Sequence, residues 1–72
     1  MPLFAQHGEV AFLIEEADNG FYLYTREPSA DWDSWHLSLD DAMAQANRDL
    51  GRECGPWREV DGDFWNRPGT GI

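Results

Sequence analysis

Chemistry at a protein site needs groups that can hold a proton, a metal ion or a bond to substrate, and few such groups fall into a pattern here. The two histidines are His7 and His36, and His36 follows Asp31, Trp32, Asp33 and Trp35. A histidine beside carboxylates is a candidate general base or metal ligand. In an extended segment over 34–37, however, His36 points away from Trp35 and Leu37, as a rim or solvent-facing residue would. Asp31, Asp33 and His36 offer oxygen and nitrogen donors for a cation. Pro28 and Trp32 nonetheless break any calcium-loop pattern, and the glycine that such a loop requires is missing. Asp40 and Asp41 are explained more simply as the start of a helix than as a catalytic pair. Cys54, the single cysteine, lies near Arg52, and a neighbouring cation lowers a thiol pKa. Neither a second cysteine nor a histidine lies close to it in sequence to support redox or nucleophilic work. Zinc spacing, a phosphate-cradling glycine loop and a basic aromatic platform for single strands are all absent from the sequence. The expectation is a protein that is not an enzyme, with no catalytic residue, cofactor or metal.

The same residues must be held by a small body. Seventy-two residues allow one domain, and a chain of this size buries about 60% of its unfolded surface. A hydrophobic content of 42% with 14% aromatics is enough for a core and argues against disorder. Trp32, Trp35, Trp57 and Trp65 are many for the length, and each large ring can remove roughly 150–250 Å² from water. Fourteen acidic residues stand against five arginines, a net charge of −9. Such a charge repels nucleic-acid backbones and anionic lipid, so neither direct nucleic-acid binding nor a membrane is expected, and a basic partner is the complement. A lone cysteine fits a reducing compartment. Residues 1–7 lack the charged and apolar regions of a secretory signal, and no stretch reaches the ~20 apolar residues of a membrane span, which points to the cytoplasm.

Residues 10–16 and 21–26 are short runs rich in aromatic and branched side chains, separated by Ala17-Asp18-Asn19-Gly20. They predict an antiparallel hairpin with a tight turn at Asn19 and Gly20. Alternation then groups Phe12, Ile14, Phe21 and Leu23 on one side as the core set, and Leu13, Tyr22 and Tyr24 on the other. Beyond the turn-forming Glu27-Pro28-Ser29-Ala30-Asp31, a short third strand is expected over 34–37. Ser38 is a helix cap with Asp40 and Asp41 in the first turn, and Leu39, Ala42, Met43, Ala46 and Leu50 recur at helical spacing. The helix should run over 39–50 and stop at Gly51. Its alanines leave space above the sheet for the rings of Phe12, Phe21 or Trp35. Residues 57–60 alternate as a last short strand would, and Phe64 and Trp65 either extend the sheet or pack onto it. The fold class is therefore α+β, with an antiparallel sheet of three to four strands in the order β-β-β-α-β under one helix. Residues 1–66 form the domain and 67–72 a flexible tail.

The run Asp33-Ser34-Trp35-His36-Leu37-Ser38-Leu39-Asp40-Asp41-Ala42-Met43-Ala44-Gln45-Ala46, followed by Gly51 and Trp57, resembles a pattern in small bacterial proteins of no assigned activity. There a hairpin leads to a Trp-His pair, a Ser-capped Asp-Ala-x-x-Gln-Ala helix and a closing Trp. The likeness covers roughly residues 10–60 and implies a fold, not an activity. In outline the hairpin and capped helix are also similar to the HicB-like antitoxin fold.

Two functions of different kind follow. The first is an acidic protein-binding module, of the inhibitor, immunity or antitoxin type, that masks a basic, nucleic-acid-binding surface such as that of a nuclease. Its expected contact residues are Tyr22, Tyr24, Glu15, Asp31, Trp32, Asp33 and His36, aromatic anchors bordered by charges that steer encounter. The second is a self-associating housekeeping or regulatory domain, a homodimer formed through an uncovered sheet face or edge.

Overall fold

A computed structural model describes residues 2–63 and Trp65. The elements run β1 (Leu3–His7), β2 (Val10–Ala17), β3 (Gly20–Glu27), β4 (Ala30–His36), α1 (Leu39–Leu50) and β5 (Arg58–Glu59). All five strands join one antiparallel sheet in the order β4-β3-β2-β1-β5. The α+β class holds, but the sheet exceeds the expected three to four strands and the chain order is β-β-β-β-α-β.

The extra strand is β1. Leu3-Phe4-Ala5-Gln6-His7 is short and ends on two polar residues, so its own composition is a weak strand signal. It forms because Leu3 to His7 pair with Ile14 to Val10 on β2, and the partner's long apolar run decides the outcome. The turn between them contains Gly8 at φ 61. In the same way β4 begins at Ala30, not at residue 34. Asp31 and Asp33 are poor strand formers, yet they sit opposite Arg26 and Tyr24, and those cross-strand partners carry the strand back to the turn. The predicted closing strand shortens to Arg58–Glu59, and the predicted tail at 67–72 lies outside the described residues.

The helix face of the sheet follows the alternation read from the hairpin. Ala5, Phe12, Ile14 and Leu23 form one buried cluster with Ala42, Ala46 and Cys54, and Phe21 packs half-buried at its margin. Fully burying a Phe or Leu contributes roughly 1.5–3 kcal/mol. Ala42 and Ala46 have no exposed surface, so the helix lies close against the strands. The ring beside them is Trp57, edge-on to Phe12 with centroids 6.4 Å apart. Trp35, expected as a ring for this space, instead projects from the other face of β4, because its partner across the ladder is Tyr22.

The helix begins where Ser38 Oγ accepts a hydrogen bond from the Asp41 N–H at 3.1 Å, and it ends at Gly51, left-handed at φ 83. The Gly51 and Arg52 amides both donate to the Asn47 carbonyl. Asn47 Oδ1 then accepts from the Cys54 amide at 2.7 Å. This bond turns the chain back towards the core, where a cis Gly55–Pro56 peptide and Trp57 follow. Among the described residues, no helix is long and apolar enough to cross a membrane.

Candidate protein-interaction face

The second face of the sheet is divided. Over β1 and β2 it is closed: Phe4, Ala11, Leu13 and Val60 are buried, with Tyr24 and Trp65 packed against them. Trp65 meets Phe4 edge-on at 6.4 Å, and the Val60 amide donates to the Pro2 carbonyl at 2.9 Å. Over β3 and β4 the face is open. Among the described residues no helix lies over it, and Tyr22 and Trp35 keep 37% and 42% of their surface exposed.

Register places the side chains there. Tyr22 stands opposite Trp35, Tyr24 opposite Asp33 and Arg26 opposite Asp31 on β4, while Glu15 of β2 stands opposite Tyr22. The rings form a continuous row. Trp35 meets Tyr22 edge-on at 4.9 Å, Tyr22 stacks with Tyr24 at 6.1 Å, and Tyr24 tilts against Trp65 at 6.4 Å. Arg26 closes the row, its guanidinium 4.2 Å above the Trp65 ring while Nη1 donates to the Trp65 carbonyl at 3.0 Å. Its Nε lies 3.8 Å from Asp31, a surface pair that contributes little by itself.

Between Tyr24, Asp31, Asp33 and Trp65 lies a depression of about 280 Å³, with Thr25 and Trp32 also lining it. The side chains of Thr25 and Trp32 alternate to the helix face, so their backbone makes the floor. Partial burial raises the pKa of Tyr24, helped by the charges of Glu15 and Asp33, by Tyr22 and by a hydrogen bond to Glu15. The phenol therefore stays protonated and acts as a donor, not a base. Ring faces beside two carboxylates attract a cationic side chain, and Arg26 already shows such an arrangement within the chain.

Of the residues expected at an interface, Tyr22, Tyr24, Glu15, Asp31 and Asp33 share this face, whereas Trp32 and His36 point to the helix side. Trp32 is exposed at the edge of the sheet. His36 is half-buried, with Nε2 2.8 Å from Ser34 Oγ. The cause is the parity of β4, in which 32, 34 and 36 alternate with 31, 33 and 35. That parity also prevents Asp31, Asp33 and His36 from converging, and among the described residues no group of histidine, cysteine and carboxylate side chains is placed to hold a metal ion. Two rings of the face, Trp35 and Trp65, were outside the expected set. Trp35 was legible from β4 paired as a hairpin with β3, while Trp65 lies in a segment without periodicity.

Cys54 is not activated by Arg52. The thiol is fully buried and its pKa is pushed up to about 11 by that burial, while the Arg52 guanidinium reaches His7 Nδ1 at 3.3 Å. No family profile, curated protein or solved structure matches the chain.

Proposed function

We propose that this protein is an acidic binding module that receives a basic protein surface on the open β3–β4 face, in the manner of an inhibitor, immunity protein or antitoxin. The row Tyr22, Tyr24 and Trp35, with Tyr22 and Trp35 exposed and Tyr24 half-buried at its inner end, lies on a sheet face that no helix covers among the described residues and is bordered by Glu15, Asp31 and Asp33, and this is the observation that supports it. Aromatic rings supply contact area at an interface core at low entropic cost, and carboxylates around them select and steer a basic partner. With a net charge of −9, the natural target is a surface evolved for an anionic ligand, such as the nucleic-acid site of a nuclease. No catalytic step is assigned to the module, and the single buried thiol suits work in the cytoplasm.

Affinity capture with the protein as bait, repeated over a salt series, tests this. A basic protein should be retained at low salt and released as salt rises. Tyr22→Ala and Trp35→Ala should abolish retention while their thermal melts stay cooperative. Retention that ignores both salt and these substitutions would remove the proposal.

Self-association is the second reading, favoured by the outer edge of β4, beyond which no strand lies among the described residues, and by Trp32 and Trp35 exposed on its two opposite faces. Sedimentation at micromolar concentration separates the two, since a strict monomer leaves only the first.

A further inference from the structure

We infer that β4 is a docking edge, which takes up an extended basic segment of the partner as an added strand beside Ala30–His36. This rests on the β3–β4 face being the interface and names the form in which the partner arrives. β4 is an outer strand of the sheet, and its register against β3 runs unbroken from Glu27–Ala30 to Phe21–His36. Edge strands are normally protected by charged side chains, lysine above all, by proline, a bulge or a cover, and the charges on β4, Asp31 and Asp33, repel an acidic strand but not a basic one. β4 has no proline or lysine in its sequence Ala-Asp-Trp-Asp-Ser-Trp-His and no bulge in its register. Among the described residues no strand lies beyond it.

Parity says which backbone groups point away from β3. The two-residue turn Pro28-Ser29 closes on Glu27 and Ala30, a pair that exchanges both backbone hydrogen bonds, and bonded and non-bonded pairs then alternate along the ladder. Ala30, Trp32, Ser34 and His36 therefore bond inward to β3, and the amides and carbonyls of Asp31, Asp33 and Trp35 point outward. The same three residues carry their side chains on the open face. An added strand would meet outward-pointing backbone groups, two carboxylates and an indole at alternate positions.

Charge selects the occupant. A second copy pairing antiparallel along the whole of β4 would set Asp33 opposite Asp33 of that copy, and a copy shifted to centre on Trp32 would set Asp31 opposite Asp33. Like charges directly opposite oppose pairing, and each chain carries −9 overall. A segment with Arg or Lys at alternate positions instead satisfies Asp31 and Asp33, and can place one cationic group in the depression beside Tyr24. Backbone pairing gives such an edge its affinity and the alternate side chains its specificity.

The test uses the full chain, amide hydrogen exchange, and a blocked peptide alternating Arg and Val. The peptide should slow exchange of the Asp31, Asp33 and Trp35 amides by more than about tenfold, leaving Trp32 and Ser34, already bonded in the ladder, unchanged. The same peptide N-methylated on alternate residues, which keeps its charge but loses one edge of donors, should not. Asp33→Asn and Asp33→Lys, at an exposed position, should weaken binding progressively. Equal binding of the N-methylated peptide, or no slowing at any β4 amide, overturns the inference. So does slowing without peptide that grows with protein concentration, which would make a second copy the occupant. The two proposals fail separately. Partner capture that needs Tyr22 but leaves the β4 amides unprotected sinks only the edge, and peptide pairing on β4 with Tyr22→Ala still retaining the partner sinks only the aromatic face.

Discussion

The indole of Trp35 lies across Gly20, so close that a Cβ on that glycine would stand 2.6 Å from Cζ2 and closer still to the carbonyl oxygen of His36. Gly20 opens β3 on the same face as Tyr22, two residues before it, and Tyr22 meets the same indole edge-on. The Trp35 ring is thus seated by an absent side chain on one side and a phenol ring on the other. This fixes one end of the aromatic row while leaving its outer surface to solvent.

Gly20→Ala should therefore lower stability by roughly 1–3 kcal/mol, since both a ring and a backbone oxygen must move. For a domain of this size that corresponds to a midpoint shift on the order of 4–8 °C per kcal/mol. A near-ultraviolet dichroism spectrum altered in the tryptophan region should accompany the shift. An unchanged spectrum and melt would mean that the ring does not rest on Gly20.

At the opposite face, Ala46 and Ala42 set the distance between helix and sheet. Ala46→Phe should overpack that seam at a cost of about 1–3 kcal/mol, read as a lowered thermal midpoint. A larger ring accepted without loss would show that the helix sits further from Phe12 and Leu23 than described.

The hairpin, its two faces and the capped helix were legible because each is specified locally. Alternation separates Phe12, Ile14 and Leu23 from Leu13, Tyr22 and Tyr24, and Ser38 and Gly51 mark the helix ends. β1 and the first half of β4 were not, because pairing with β2 and β3 creates them and no local run announces it. The sequence also suggested a turn role for Gly20. Positive φ occurs among the described residues only at Gly8 and Gly51, so Gly20 serves close approach instead, a requirement set by Trp35 across the ladder. The expected place of Trp35 under the helix failed, and the expected direction of His36, opposite to Trp35, held, because the parity of that one strand decides which of its side chains join Tyr22.

Cys54 gives a pH signature with a definite sign. Its folded pKa is raised from 9.0 to about 11 by burial, so its contribution to stability is fully present below pH 9.0. That contribution is lost as the pH climbs towards 11, where the unfolded thiol ionises and the folded one resists. Stability measured by denaturant should fall over that window, and less in Cys54→Ala once its lower baseline is subtracted. At neutral pH the thiol should resist a water-soluble disulfide reagent until the chain unfolds. Rapid labelling of the native protein would contradict the burial.

Thr25 presents the reverse case, a polar group whose removal should help. It is 1% exposed on the helix side of β3, between Trp32 on β4 and Phe12 on β2, and its Oγ1 has no hydrogen-bond partner among the described residues. A buried hydroxyl without a partner carries a desolvation cost of about 1–3 kcal/mol. Valine has nearly the same shape and the same preference for strands. Thr25→Val should therefore raise the thermal midpoint or leave it unchanged, whereas Thr25→Ala should lower it by opening a gap. Both substitutions lie beneath the open face without touching its rings, so partner retention should be unaffected by the valine. A Thr25→Val protein less stable than the parent would show that the hydroxyl is bonded after all, and that the floor under Tyr24 and Asp33 is held by a polar contact.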